Sequence, residues 1–381
     1  LYMTREPLAV AKIEENPLYT DKKQFLSSDY MVARLQADPE RVYNRLRNGY
    51  EDQEIAKEEL RQSGHTLTKY TGHDQSLLSG IPNSMLQAGD LRKDGSIVLG
   101  KDVKITSQKL YNTGSIQAKD SLSITGNHVR NLSGSMNGNL VSIRTDMLEN
   151  TSGRIHGKDG VHIEGKDIRN ETQIMTNSSF GYQQDTAHGN ASITSEGSIH
   201  IQGDSIRSVG ATIQGSNTVN LAGKDIQLSA RTLQNRYIGS GVTLESTKYL
   251  GSTVQGHTVQ VQGGEITLQG SRMIGHTVDL TGNSLTLTNV TDRTLSDVAV
   301  GARGSDYFNR KMVIEEQNLG ATIEGDTGVK VRMDNNVSMK ASTIHSKTGL
   351  VDVQADRVSI AHGTERHETL SEIHQKDRGF L

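Results

Sequence analysis

From about residue 89 onward, apolar and polar residues alternate over short stretches of the chain. Val161-x-Ile163, Val219-x-Leu221 and Val259-x-Val261 all follow this two-residue period, and Gly, Asn or Asp separates one stretch from the next. Every second side chain of a β-strand points to the same side. The pattern therefore predicts short strands with an apolar inner side and turn residues at the corners. We predict burial of Val161, Ile163, Val219, Leu221, Val259, Val261, Val278 and Leu280.

The same pattern returns at a nearly constant interval. Asn112, Asn131, Asn150 and Asn170 follow one another at steps of 19, 19 and 20 residues, each in a similar local sequence. A period of about 20 residues is typical of a solenoid, whose coils stack on one another. We predict a mostly β fold, a right-handed parallel β-helix, because strand–crossover–strand connections strongly favour that hand. Stacked asparagines would then form a structural ladder of hydrogen bonds between their amides.

The N-terminal part of the chain has a different pattern. Apolar residues follow helical spacing before Asp38-Pro39, and a second helical stretch ends at Asn48-Gly49. Residues 71–88 lack periodicity and contain Gly80-Ile81-Pro82-Asn83, which is typical of a linker. We therefore predict a small α-helical segment over 1–70, a linker over 71–88 and a β-helix over 89–381.

Two stretches, near 173–192 and 289–319, interrupt the repeat with polar residues and strand-like flanks. Insertions in a solenoid collect in its loops, so both stretches are predicted to be hairpins extruded from a corner. They contain large aromatic residues and cations, which mark contact surfaces when they are exposed. In the alternative interpretation, the rings pack on the flank of the solenoid. The candidate contact residues are Phe180, Tyr182, Arg303, Tyr307, Phe308, Arg310 and Lys311.

Composition supports thin stacked coils and excludes several classes of protein. Hydrophobic residues make up 33% of the chain and aromatic residues 4%, which is too little bulk for one large core but suits coils that cover each other. The net charge of -3 gives no overall field for nucleic acid or an anionic membrane. The absence of cysteine excludes disulfides and thiol chemistry.

No residue pattern indicates catalysis, a metal or a cofactor. The 13 histidines are scattered without the spacing of a metal-binding motif. Asp102, Asp167 and Asp225 each follow a lysine at a corner, where an exposed charge is expected. β-Helical enzymes that degrade polysaccharides need carboxylates clustered across neighbouring coils. We predict that the chain is not an enzyme and has no catalytic, metal-binding or cofactor-binding residues, although such an enzyme stays an open alternative.

Several segments resemble the repeats of filamentous haemagglutinin. They read Gly-Lys-Asp-Ile-Gln-Leu-Ser-Ala at 223–230, Gly-Ser-Thr-Val-Gln-Gly-His-Thr-Val-Gln-Val-Gln-Gly-Gly at 251–264 and Gly-Ala-Thr-Ile-Glu-Gly at 320–325. Residues 16–53 resemble the segment that precedes the second repeat region in exoproteins of bacterial two-partner secretion, which include the contact-dependent growth inhibition proteins. The resemblance extends over nearly the whole chain.

This resemblance implies a secreted protein at the surface of a Gram-negative bacterium, associated with its outer membrane or with the envelope of a target cell. It implies a non-catalytic stalk or delivery segment that helps to present or translocate a C-terminal toxin into neighbouring cells. The expected partners are an outer-membrane two-partner-secretion transporter during export, components of the target-cell surface, and a toxin domain in the full-length parent. Nucleic acid is not expected as a partner. An adhesin filament that binds host or bacterial surfaces is the alternative function.

Overall fold

A computed structural model describes residues 96–302 and 305–376. The regular structure of these residues consists of strands, arranged in a fourteen-stranded sheet and a seven-stranded sheet. The predicted helical segment over 1–70 and the linker over 71–88 lie outside the described residues, as does Arg303. Nothing in the described part of the chain is a helix long and apolar enough to cross a membrane.

The strands vary in length from four to 19 residues. In chain order they are β1 (Ile97–Asn112), β2 (Ser115–Leu132), β3 (Ser135–Thr151), β4 (Arg154–Glu171), β5 (Ile174–Ser179), β6 (Tyr182–Ala187), β7 (Ser192–Ser195), β8 (Ser198–Val209), β9 (Thr212–Gly215), β10 (Thr218–Ser229), β11 (Arg231–Gly239), β12 (Val242–Leu250), β13 (Thr253–Gln269), β14 (Arg272–Thr288), β15 (Val290–Val300), β16 (Tyr307–Leu319), β17 (Thr322–Lys340), β18 (Thr343–Ser346), β19 (Leu350–Gln354), β20 (Arg357–Ala361) and β21 (His367–Gln375).

The larger sheet is a stack of coils, each paired in parallel with the coils before and after it. Leu221 of β10 pairs with Ile201 of β8 on one side and with Val261 of β13 on the other. This arrangement is consistent with the predicted β-helix. Its right-handedness stays a prediction. In the described residues the stack has ten coils: β1, β2, β3, β4, β7 with β8, β9 with β10, β13, β14, β17, and β18 with β19 and β20. We call it the coil stack.

In many coils one long strand continues past the corners and replaces several of the expected short strands. In β13, Gly256 and Gly263 stay paired with Gly275 and Gly282 of β14. Glycine makes this possible, because a Cβ on Gly282 would overlap the carbonyl oxygen of Gly263. The chain therefore bends at these corners while the residues on either side of each corner stay paired.

The core lies inside the coil stack and runs along its length. Inward residues of one coil pack on their counterparts in the next coils, so a few aliphatic side chains per coil exclude water. The prediction of burial is confirmed for all eight residues, which are at most 3% exposed: Val161, Ile163, Val219, Leu221, Val259, Val261, Val278 and Leu280.

The smaller sheet is antiparallel, in the order β21-β16-β15-β12-β11-β6-β5. Three hairpins, β5–β6, β11–β12 and β15–β16, leave the coil stack between coils and pair side by side. The first and the third lie within the stretches predicted near 173–192 and 289–319. The sequence pattern did not predict the second hairpin, although the inward residues Leu228 and Val254 lie much further apart in the sequence than Leu268 and Met273. We call this the hairpin sheet.

Candidate functional site

Four buried asparagines link successive coils at the N-terminal end of the stack. Asn112 Nδ2 donates to Asn131 Oδ1 at 2.8 Å, Asn131 Nδ2 to Asn150 Oδ1 at 2.8 Å, and Asn150 Nδ2 to Asn170 Oδ1 at 2.7 Å. An amide side chain both donates and accepts hydrogen bonds. Asn131 and Asn150 can therefore each bond to the asparagine of the coil before and to that of the coil after. The four side chains are buried and form one continuous chain of hydrogen bonds.

The stacked asparagines occupy one column of inward positions, one residue per coil. This column changes from polar to apolar at Ser208. Ser208 pairs with Asn170 in one adjacent coil and with Leu228 in the other, and Leu268 follows Leu228. Its hydroxyl is buried without a hydrogen-bond partner among the described residues. An unsatisfied buried hydroxyl costs about 1–3 kcal/mol. Ser208 is therefore a weak point between the asparagine and leucine halves of the column.

We expect Ser208→Ala to raise the free energy of unfolding by about 1 kcal/mol, because it removes an unsatisfied hydroxyl and little packing. Urea unfolding of the full chain measures the change. Ser195→Ala is the matched control, since the Ser195 hydroxyl is also buried but accepts a hydrogen bond from the Gly197 amide at 3.0 Å. That substitution is expected to destabilise the protein. A lower midpoint for both variants would contradict the assignment of Ser208.

Charged side chains at the corners pair between coils. Lys166 Nζ lies 2.8 Å from Asp146 Oδ1, and Lys224 Nζ lies 2.9 Å from Asp204 Oδ1. The hydrogen bond to Asp146 raises the pKa of Lys166. Within the described ranges, no three His, Asp or Glu side chains are grouped so that they could hold a metal ion. The three corner aspartates that follow a lysine in the sequence accept hydrogen bonds from residues other than that lysine. Asp102 accepts from Ser121, Asp167 from Arg169 and Asp225 from Gln227.

Four of the candidate contact residues are exposed on the hairpin sheet. Phe180 lies in the turn between β5 and β6 with a relative exposure of 106%. Tyr182 begins β6 and Tyr307 begins β16, and both rings are exposed. Lys311 of β16 is also exposed and has no ion pair within the described ranges. These side chains are free to contact a partner.

The other candidates differ from the expectation. Phe308 is only 6% exposed, because adjacent residues of a strand point to opposite faces and Phe308 lies on the face opposite Tyr307. Arg310 donates to both carboxylate oxygens of Asp297, at 2.7 and 2.8 Å. These hydrogen bonds hold the pKa of the Asp297 carboxyl below its usual value. The contact role is therefore wrong for Phe308, and Arg310 is already neutralised. Arg303 lies outside the described residues.

The register of the hairpin sheet separates its side chains into two faces. Residues directly opposite each other in antiparallel strands lie on the same face. One row crosses all seven strands and consists of Ser179, Tyr182, Tyr237, Leu244, Ser296, Val313 and Thr369. We call the face that carries this row the tyrosine face. Its exposed apolar side chains, 38–69% accessible, are Met175, Tyr182, Tyr237, Leu244, Val298, Val300, Tyr307 and Ile373.

The opposite face, which we call the charged face, carries cross-strand ion pairs. They join Arg236 to Glu245, Arg293 to Glu316 and Arg310 to Asp297. Among the described residues, the tyrosine face has one ion pair, between Lys248 and Asp292, and Lys248 lies four residues along β12 from Leu244. Sequence analysis missed Tyr237 and Leu244, because their strands were not recognised and their face depends on pairing between separate hairpins. The apolar residues Val242-x-Leu244, which match the two-residue period of the coils, are a signal that could have revealed β12.

Comparison with known proteins identifies distant relatives. No protein-family model matches the chain, and no solved structure gives a significant match. The chain is 23% identical to tRNA nuclease CdiA-2 of Burkholderia pseudomallei (strain 1026b), a match that covers 93% of this chain and 14% of the relative. It is 26% identical to tRNA nuclease CdiA of Escherichia coli O6:K15:H31 (strain 536 / UPEC), covering 61% of this chain and 8% of the relative.

A third relative, named Toxin CdiA, is from Escherichia coli. It is 24% identical over 46% of this chain, which corresponds to 7% of the relative. The chain thus spans a seventh or less of the length of these curated relatives. The matches have low identity but cover much of the chain. The curated relatives of this chain are therefore CdiA proteins of contact-dependent growth inhibition, which confirms its resemblance to that family of two-partner-secretion exoproteins.

Proposed function

We propose that this chain is a non-catalytic stalk or delivery segment of a secreted exoprotein that helps to present a C-terminal toxin or to translocate it into a neighbouring cell. The match of 93% of the chain to a CdiA protein carries this proposal. Because the chain spans only 14% of that relative, most of the relative lies outside the match. We infer that the nuclease activity in its name belongs to a toxin domain in that remainder.

The proposal includes a location and partners. The parent protein is exported by an outer-membrane two-partner-secretion transporter and is displayed at the surface of a Gram-negative bacterium. There the chain contacts components of the target-cell envelope. Its helical segment over 1–70 and linker over 71–88 precede the repeats, which wind into a right-handed β-helix.

The coil stack supports a role as a spacer. Ten stacked coils at about 4.8 Å each make a rod about 50 Å long. One aliphatic core runs along it, and the lysines and aspartates at its corners pair with each other. Such a rod holds the segments on either side of it at a fixed distance.

The exposed aromatic residues of the hairpin sheet support a contact with the target cell. Phe180 and Tyr307 lie at or beside hairpin turns, and their rings are uncovered. Covering such a ring with a partner releases water from apolar surface and stabilises the contact. We assign the contact to Phe180, Tyr182, Tyr307 and Lys311.

The double substitution Phe180→Ser and Tyr307→Ser in the full-length parent is expected to reduce growth inhibition of target cells about tenfold, because two exposed anchors are lost. Competitive co-culture measures the inhibition, and surface labelling checks display. The control is Leu140→Ser on the coil stack, since the 55% exposure of Leu140 is close to the 48% of Tyr307. Inhibition at the level of the parent, with normal display, would contradict the contact role. Cell–cell binding assayed in parallel separates the alternatives, since an adhesin would lose binding itself.

A further inference from the structure

The ring of Tyr237 lies flat on the tyrosine face. A Cβ on Gly239 would meet the Tyr237 Oη at 2.6 Å and Cζ at 2.9 Å. The ring therefore extends along β11 over the bare backbone of Gly239, which is two residues further on and on the same face. One side of the ring rests on the strand. The other side faces outward, which agrees with the 44% exposure of the residue.

Tyr182 takes a similar position on the neighbouring strand. It is directly opposite Tyr237, and its hydroxyl donates to Gln184 Oε1 at 2.6 Å. Gln184 is also two residues further on and on the same face, so the Tyr182 ring runs along β6. Because β6 and β11 are antiparallel, the two rings extend in opposite directions from a shared row. We call this pair of rings the tyrosine platform.

Neutral polar side chains surround the tyrosine platform. Gln184 lies opposite Asn235, and Asn235 lies opposite Ser246. Amides and hydroxyls can donate and accept hydrogen bonds, as the hydroxyl groups of a ligand require. The nearest ion pair, Arg236 with Glu245, is on the charged face. The platform thus combines exposed apolar planes with neutral hydrogen-bonding groups.

We propose that the tyrosine platform binds a neutral polysaccharide, a ligand beyond the delivery role. The apolar C–H side of a sugar ring can lie on an exposed tyrosine ring while its hydroxyls bond to Gln184, Asn235 and Ser246. Single-stranded nucleic acid also stacks on aromatic rings, but it needs a basic groove along its backbone. Anionic polymers need arginine or lysine in the same way. The neighbours of the tyrosine platform on this face, Gln184, Asn235 and Ser246, are neutral, so the platform favours a neutral chain.

Native gel electrophoresis of the full chain tests the proposal, with dextran, mannan or galactomannan cast in the gel and alginate as an anionic comparison. We expect retardation in at least one neutral gel. Tyr237→Ala should weaken the apparent affinity about tenfold, because it removes a stacking plane. Gly239→Ala should weaken it as well, although the ring remains, because the new Cβ displaces the ring from the strand. Circular dichroism confirms folding of both variants.

Ile238→Ala is the matched control. Ile238 precedes Gly239 on the charged face and is 42% exposed, close to the 44% of Tyr237. This variant should be retarded like the wild-type protein. The proposal is overturned if the wild-type protein runs freely in all three neutral gels, binds only alginate, or is retarded equally after Tyr237→Ala. A wild-type dimer that Tyr237→Ala dissociates in sedimentation would also overturn it, since the face would then bury a second copy. Growth inhibition by the parent is tested separately with Phe180→Ser and Tyr307→Ser, which leave both tyrosines of the platform in place, so the two proposals can fail independently.

Discussion

Leu221→Asp is expected to lower the free energy of unfolding by more than 5 kcal/mol and to unfold the middle of the coil stack. Leu221 is fully buried between Ile201 and Val261 of the adjacent coils. Loss of a buried leucine side chain alone costs about 2–5 kcal/mol. An unpaired carboxylate between two coils adds a desolvation cost of several kcal/mol more. Asparagine in place of aspartate would remove the charge and part of this effect.

Urea unfolding followed by far-UV circular dichroism measures this change, and Asn220→Asp is its control. Asn220 is the neighbouring outward residue, placed between His200 and Gln260, and its substitution should change stability by less than about 0.5 kcal/mol. Because each coil contacts only its neighbours, hydrogen exchange should rise first in β8, β10 and β13. A Leu221→Asp protein that unfolds at the wild-type midpoint would show that the facing of β10 is wrong.

Asn131→Ala is expected to lower the free energy of unfolding by about 3–5 kcal/mol. Asn131 accepts from Asn112 and donates to Asn150 Oδ1 and to the Gly134 carbonyl, all in the buried interior. Its removal leaves several buried polar groups without partners, at about 1–3 kcal/mol each. Because an inner member bonds to the coils on both sides, Asn131 and Asn150 are the most sensitive positions of the ladder.

The comparison with Asn112→Ala tests whether the ladder acts as a chain. Asn112 is bonded to one asparagine rather than two, so its substitution should cost about half as much. Thermal and urea unfolding of the two variants, alone and combined, give the coupling between them. Equal costs for Asn112→Ala and Asn131→Ala, with no coupling in the double variant, would contradict a shared hydrogen-bonded chain.

The sequence by itself determined the coil stack. Alternation of apolar residues with a period of about 20 is a local property, and it fixes which side chains point inward once coils stack. Residues such as Val219 and Leu280 must be apolar because each is covered by the coils above and below, and both are buried. For the same reason, an in-phase residue such as Asn150 could be placed in its column from spacing alone.

The sequence by itself determined the hairpins only in part. The interruptions near 173–192 and 289–319 stand out because they break the period and contain large aromatic residues. The hairpin of β11 and β12 also has apolar residues two positions apart, at Val242 and Leu244, so it looks locally like part of a further coil. A strand that pairs with a neighbouring hairpin and a strand that pairs with a neighbouring coil have the same two-residue period. The two-residue period therefore does not indicate to which of the two sheets a strand belongs.

Only the tertiary structure decided which side chains of the hairpins act together. Tyr182 and Tyr237 are 55 positions apart in the sequence, and they share a row because two separate hairpins pair in one register. Tyr307 and Phe308 are adjacent, yet one is exposed and the other buried. A shift of one residue in that register would exchange the two faces of a strand. The chemistry of the tyrosine face depends on contacts between distant segments, and local sequence does not specify them.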